Sequence, residues 1–228
     1  MKMMLNKIIA AGDNRRSRLH TEDDVFIGWK SALVEVPITA VQKMRNAIVG
    51  SRPIVPWWPL PAIREVNARL RPDMRAIEFG SGSSSIWIAR RVGYLVCREH
   101  DRNWAEVTRR RLASCEVTNC EVQHCADTDY YRIESDQRFD FAVIDGEFRW
   151  KCIEAVWPHM NSGGIIYFDN SDSDKDAGSY NKFGVIGDRL AQKYIFDLEK
   201  DNKIKLQEFH GMINGEIFAG SGILITVL

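Results

Sequence analysis

Ile77-Glu78-Phe79-Gly80-Ser81-Gly82-Ser83-Ser84-Ser85 decides how the rest of the chain is read. A short apolar run beginning at Arg75 ends in two glycines one residue apart, and three serines then open a helical pattern. Glycine at a strand-to-helix turn lets the backbone bend sharply and lets a ligand come close. The helix that follows points its unpaired N–H groups at the same place. Several nucleotide-binding folds share a lone Gly-x-Gly, so the flanking sequence has to discriminate.

Outward from this turn the pattern alternates. Residues 75–79 read as a strand, 84–92 as a helix, 94–99 as a strand and 103–112 as a helix. Then come a strand at 121–125, an apolar strand at 140–144 suited to burial on both faces, a helix at 149–160 and another apolar strand at 165–168. Ile186, Leu190 and Tyr194 share a helical face, and two strand-like runs at 204–210 and 223–227 close the chain. Alternation of this kind predicts a Rossmann-like, doubly wound α/β fold with a mostly parallel sheet, whose ligands bind beyond the carboxyl ends of the strands. Acids stand at those ends: Glu99-His100-Asp101 after the second strand, Asp127 after the third, Asp145-Gly146-Glu147 after the fourth and Asp169-Asn170 after the fifth. Helix capping explains one or two of them. An acid about 20 residues past the glycine turn is placed to accept hydrogen bonds from ribose hydroxyls.

Two adenosine ligands compete. A dinucleotide carries a pyrophosphate, and its loop usually has a third glycine where this chain has Ser85. Glu78, two residues before the first glycine, is a poor neighbour for phosphate and a good one for a cation. S-adenosylmethionine, with an ammonium and a sulfonium, matches that charge.

Taken with Arg98-Glu99-His100-Asp101, Val143-Ile144-Asp145-Gly146, Ser162-Gly163-Gly164 and Phe168-Asp169-Asn170-Ser171-Asp172, the glycine-turn stretch resembles the class I S-adenosylmethionine-dependent methyltransferases. More narrowly, with the proline-tryptophan pieces between Pro53 and Ile63, it is similar to small O-methyltransferases that modify glycans and other hydroxylated small molecules. The resemblance covers roughly residues 50–228. It implies a seven-stranded sheet ending in an antiparallel hairpin. It also implies that Glu78, Gly80, Ser81 and Gly82 hold the methionine part, with Ser84, Ser85 and His100 counted in the same cofactor set. Glu99 would bind the ribose, Asp127 would lie near the adenine, and Asp145 would face the transferring methyl group.

A hydroxyl acceptor needs a base, or a metal that lowers its pKa. Asp145, Asp169 and Asn170 offer the oxygen donors that suit Mg²⁺, and the trio resembles the cation-dependent O-methyltransferases of the catechol type. Those commonly carry a lysine three residues after the first Asp; here that position is Phe148, with Arg149 and Lys151 beyond. The base is therefore open among Asp145, Glu147 and His124, and Asp145, Glu147 and Arg149 form the expected catalytic set. Asp169-Asn170 is equally suited to shaping a turn.

Composition narrows the partners. Lys+Arg and Asp+Glu both number 31, and zero net charge disfavours nucleic acid, whose partners usually carry a basic excess. No apolar run approaches the ~20 residues of a membrane helix. Five cysteines without an export pattern suggest a reducing, cytoplasmic location. Cys115, Cys120 and Cys125, with His124, are spaced too widely for the usual zinc motif and read better as core residues. Residues 1–72 are expected to form a helical and extended cap, with a helix at 39–49, and residues 73–228 the catalytic domain. Trp57-Trp58 either walls a ligand pocket or packs under the connecting segment. Residues 172–180 are a polar loop or a lid. Oligomeric state is open, a homodimer included. An NAD-dependent oxidoreductase or epimerase, and a non-catalytic protein of the same fold, are the alternatives to a methyltransferase.

Overall fold

The computed structural model describes residues 15–50, 53–171 and 185–228, with backbone alone for Asp127 and for residues 185–190. Its seven strands are β1 (Arg75–Phe79), β2 (Tyr94–Glu99), β3 (Cys120–His124), β4 (Phe139–Ile144), β5 (Met160–Asp169), β6 (Ile204–Met212) and β7 (Ala219–Val227). They form one sheet in the order β3-β2-β1-β4-β5-β7-β6. The pairs β1–β2, β1–β4, β2–β3 and β4–β5 are parallel, and β7 lies antiparallel between β5 and β6. The expected seven-stranded sheet with its reversed C-terminal hairpin is what forms.

The helices are α1 (Trp29–Val49), α2 (Leu60–Arg69), α3 (Ser83–Ala89), α4 (Arg102–Ser114), α5 (Arg149–Val156) and α6 (Val185–Lys200). Ala76 to Phe79 and Phe141 to Ile144 are buried without a break, because β1 and β4 are covered on both faces. β1 pairs with β2 on one side and β4 on the other, so the chain winds away in both directions from this point. The crevice that such a switch opens at the strands' carboxyl ends is where ligands bind in open α/β sheets.

Several boundaries differ from the sequence reading, and three of them have a clear local origin. α5 stops at Val156 and passes into a 3₁₀ turn, Trp157–His159, which contains Pro158; proline has no N–H to continue the α-helical ladder. β5 starts at Met160, five residues early, because Met160 pairs with Phe139. α1 begins at Trp29, ten residues early, and carries Pro37 within it on its exposed side.

The expected border at residues 72 and 73 does not coincide with a break in packing. Trp58, Ala62 and Val66 share one buried cluster with Ala76, Leu95, Phe141 and Tyr167. Upstream, α1 turns its polar side inward. Glu35 Oε2 accepts from the backbone N–H of Met212 (2.8 Å), Gln42 Oε1 accepts from that of Gly215 (3.1 Å), and Lys43 pairs with Glu216.

All five cysteines are free. Cys120 Sγ lies 3.7 Å from Cys97 Sγ, and among the described residues no three His, Cys, Asp or Glu side chains converge as a metal site. Residues 172–180, expected as a loop or lid, lie outside the described residues, and the side chains of Ile186 and Leu190 are likewise not described.

Candidate active site

Gly80 has φ +108, and a Cβ there would meet the Asp145 backbone oxygen at 3.2 Å. Only glycine takes that conformation at that distance without strain. The turn is tied to both neighbouring strands, since Gly80 N–H donates to Arg98 O (2.8 Å) and Asp145 N–H donates to Phe79 O (3.1 Å). Gly146 is tighter still, for a Cβ would lie 2.1 Å from Tyr130 Oη.

Glu78 is 1% exposed. Its carboxyl oxygens accept from the Ser84 and Ser85 hydroxyls and from the Cys97 thiol, and Gly82 N–H donates to Ser85 Oγ (2.9 Å). The expected cation-facing acid thus braces the turn against the start of α3. Burial pushes its pKa up to about 7, although the three hydrogen bonds work in the opposite direction.

At the end of β2, Glu99 Oε2 accepts from Ser81 Oγ (2.7 Å) and Glu99 Oε1 from the Asp101 N–H (3.0 Å). His100 Nδ1 is 3.5 Å from Glu99 Oε1. Glycine turn and ribose acid are therefore joined by a side-chain hydrogen bond. Asp127 opens the 3₁₀ turn after β3, and its side chain lies outside the description. Two further contributors were not legible beforehand. Trp104 Nε1 donates to Ser81 O (2.7 Å), and its ring lies 3.9 Å from where a Gly82 Cβ would be. Arg111, two helical turns along the same face, donates to Ser83 Oγ (3.0 Å). The seven-residue spacing after the capping Asp101 is the signal that places both beside the glycine turn.

Together they line a cavity of about 640 Å³ with Trp57, Ser81, Gly82, Ser84 and Asp145. The tryptophan pair divides its roles. Trp57 is half-exposed at the cavity, whereas Trp58 is fully buried, packs at a tilt against the Tyr167 ring with centroids 4.1 Å apart and donates its indole N–H to Asp145 Oδ2 (3.3 Å).

Asp145 and Asp169 are hydrogen-bonded to each other. Tyr167 O–H donates to Asp169 Oδ1 (2.9 Å). Asp169 is nearly fully buried; desolvation, and then the charge of Asp145, hold it well above the usual carboxylate range. Asp145 is raised by burial but lowered by Arg149 and by hydrogen bonds from Trp58 and Asp169. Both carboxyls are thus held above the usual carboxylate range, and the pair titrates together and not as two independent groups. Arg149 locks the loop, donating to Gly146 O (3.1 Å), Asp169 O (2.6 Å) and Asn170 Oδ1 (3.3 Å), with Nη2 3.9 Å from Asp145 Oδ1. Glu147 and His124 stand outside the hydrogen-bonded Asp145–Asp169 pair; Glu147 follows on the same loop and His124 ends β3.

The oxygens expected to hold Mg²⁺ are already engaged. Asp145 accepts from Trp58 and Asp169, Asp169 from Tyr167, and Asn170 from Arg149. A magnesium site needs free oxygen donors around an ion with water still attached. Here the Arg149 guanidinium already supplies the positive charge among these groups, so the donor set as arranged does not fit the ion.

Residues 77–171 match the family described as "Methyltransferase domain". Among solved structures the chain is similar to an O-methyltransferase from Bacillus cereus in complex with S-adenosylhomocysteine. That match has a TM-score of 0.60 at 17% identity and covers 84% of this chain and 99% of that one. It is also similar to the O-methyltransferase TomG of Streptomyces achromogenes, involved in tomaymycin synthesis and solved with S-adenosylmethionine (TM-score 0.58, 21% identity, 87% and 94% covered). An rRNA methylase from Streptococcus thermophilus shares the fold at TM-score 0.52 and 12% identity, over 72% and 92% of the two chains. Among curated proteins none matches significantly. No helix of the described residues is long and apolar enough to cross a membrane. The match over residues 77–171 and the fold shared with these solved structures make the chain similar to methyltransferases.

Proposed function

We propose that this protein methylates a hydroxyl of a sugar, a glycan or another small molecule in the cytoplasm, with Asp145 as the general base. The observation that carries this reading is the Asp145 carboxyl at the wall of the 640 Å³ cavity, beside the glycine turn, held by the Trp58 indole and neighboured by Asp169. S-adenosylmethionine, when bound, supplies the electrophilic methyl group. Gly80, Ser81, Gly82 and the start of α3 offer the methionine part close backbone contact, with Ser84 and Ser85 braced behind them by Glu78. Glu99, flanked by His100, is placed to accept from the ribose. Asp127 opens the turn beside which the adenine would lie.

On the acceptor side, Trp57 and Trp104 present flat apolar surface of the kind that packs on a sugar face or a planar ring. Asp145 takes the hydroxyl proton as the oxygen attacks, and Trp58 and Asp169 fix the carboxylate's direction. Arg149 favours the ionised form of Asp145, against the burial that raises its pKa. A cavity of this size and a zero net charge favour a small acceptor over a nucleic acid.

The test is methyl transfer from radiolabelled S-adenosylmethionine to a panel of glycosides and phenols, with and without EDTA. Asp145→Asn should lower turnover by roughly 10²–10⁴-fold while S-adenosylhomocysteine binding, read by calorimetry, is kept. EDTA should leave the rate unchanged. Intact turnover in Asp145→Asn removes the assignment of the base, and loss of turnover in EDTA restores a metal.

A further inference from the structure

α1 is amphipathic in the inverted sense. Its inward side carries Glu35, Thr39, Gln42 and Lys43, while Trp29, Leu33, Val34, Ile38, Val41, Met44, Ile48 and Val49 face solvent. Leu33 and Ile48 are 76% and 77% exposed. Monomeric soluble proteins rarely leave so large a contiguous apolar patch uncovered. Scaled from the individual exposures, the stripe amounts to on the order of 900 Å², against about 800 Å² per partner in a stable protein interface.

The pattern also says what shape the cover has. Val34, Val41 and Ile48 are seven residues apart, Pro37 and Met44 alternate with them at the same interval, and Ala40 and Ala47 run alongside. A sustained seven-residue repeat presents its seam to another helix, and small residues beside the seam allow close approach. Charge selects the orientation. The exposed side holds two basic residues, Lys30 and Arg45, and no acid. Two copies packed antiparallel about Ala40 place each Lys30 beside the partner's C-terminal helix end, where the helix dipole favours a cation. The two Lys30 side chains are then roughly 30 Å apart.

We infer that α1 is the two-fold interface of a homodimer, with the α1 of a second copy as the occupant of this stripe. The partner helix would also fix the end of α1 from which the chain leads to Trp57 and Trp58.

Light scattering on the size-separated full-length protein tests this. Wild type should give twice the 26.1 kDa chain mass, and Val41→Asp and Ile48→Asp should give 26.1 kDa with unchanged far-ultraviolet circular dichroism. Phe196→Asp, an exposed apolar site on α6, should remain dimeric. Ala40→Cys, at the pivot, should yield a covalent dimer with diamide as oxidant, above the background of wild type. The inference fails if wild type runs at 26.1 kDa, whether because residues 1–14 of its own chain cover the stripe or because the stripe sediments with lipid vesicles instead. It also fails if Val41→Asp and Ile48→Asp both stay dimeric.

Discussion

Glu78→Gln should stabilise the protein at alkaline pH and leave it unchanged in acid. Glu78 is 1% exposed and shifted from an ordinary 4.5 to about 7, with desolvation as the main cause. Between those two values the folded chain holds a proton that the unfolded chain has released. Stability therefore falls as pH rises through this window and levels off above about 7. At about 1.4 kcal/mol per pH unit, the full loss is roughly 3 kcal/mol. Glutamine keeps the shape of the protonated acid and cannot ionise. Its oxygen accepts from one serine, and its amide donates to the other. Other buried carboxyls, Glu35 and the Asp145–Asp169 pair among them, are shifted in the same direction, so the informative quantity is the difference between the two proteins. Urea unfolding at pH 4.5, 6 and 8 measures it. The variant should match wild type within about 1 kcal/mol at the lowest pH and exceed it by roughly 3 kcal/mol at the highest. A difference that does not change with pH would refute the reasoning, because Glu78 would then be ionised in the fold at little cost.

Two substitutions probe the loop after β4. Arg149→Met removes the cation that holds Asp145 down, so Asp145 should rise and the acidic limb of the pH–rate profile should move to higher pH. Arg149→Lys should recover part of that shift. A profile that stays in place in Arg149→Met would mean that Asp145 is not the titrating base. Gly146→Ala forces a methyl group to within 2.1 Å of Tyr130 Oη and should cost about 1–3 kcal/mol in denaturant unfolding. Adding Tyr130→Phe should return part of the loss, since it removes the colliding oxygen; a Gly146→Ala protein as stable as wild type would contradict the packing described.

The sheet was legible because most of its strands are short apolar runs, and β1, β2, β4 and β5 end in or run directly into a glycine or an acid, residue types that suit the turns at strand ends. α1 was only half legible. Its apolar residues face solvent, so a search for a core-facing stripe recovers the second half and misses the start, where Pro37 argues locally against a helix. In the site, Ser81 and Glu99 followed from spacing. The role of Glu78 did not, because charge matching cannot reveal that Ser84, Ser85 and Cys97 take its oxygens first. Arg149 was expected near the reaction centre, but its hold on Asp169 O and Asn170 Oδ1, which displaces the metal reading, depends on a three-dimensional convergence that residue spacing does not encode.

The two half-exposed tryptophans at the cavity give the protein a built-in optical reporter. Trp57 and Trp104 flank the glycine turn from opposite elements, while Trp58 and Trp87 are sealed in the core. The other five indoles, Trp29, Trp150 and Trp157 included, do not line the cavity and give a background, so a ligand entering it changes the light of Trp57 and Trp104 and registers without any attached dye. Replacing Trp57 or Trp104 singly by phenylalanine would assign the change to one side of the cavity, and so tell a molecule seated on the glycine turn from one resting against the segment that follows α1.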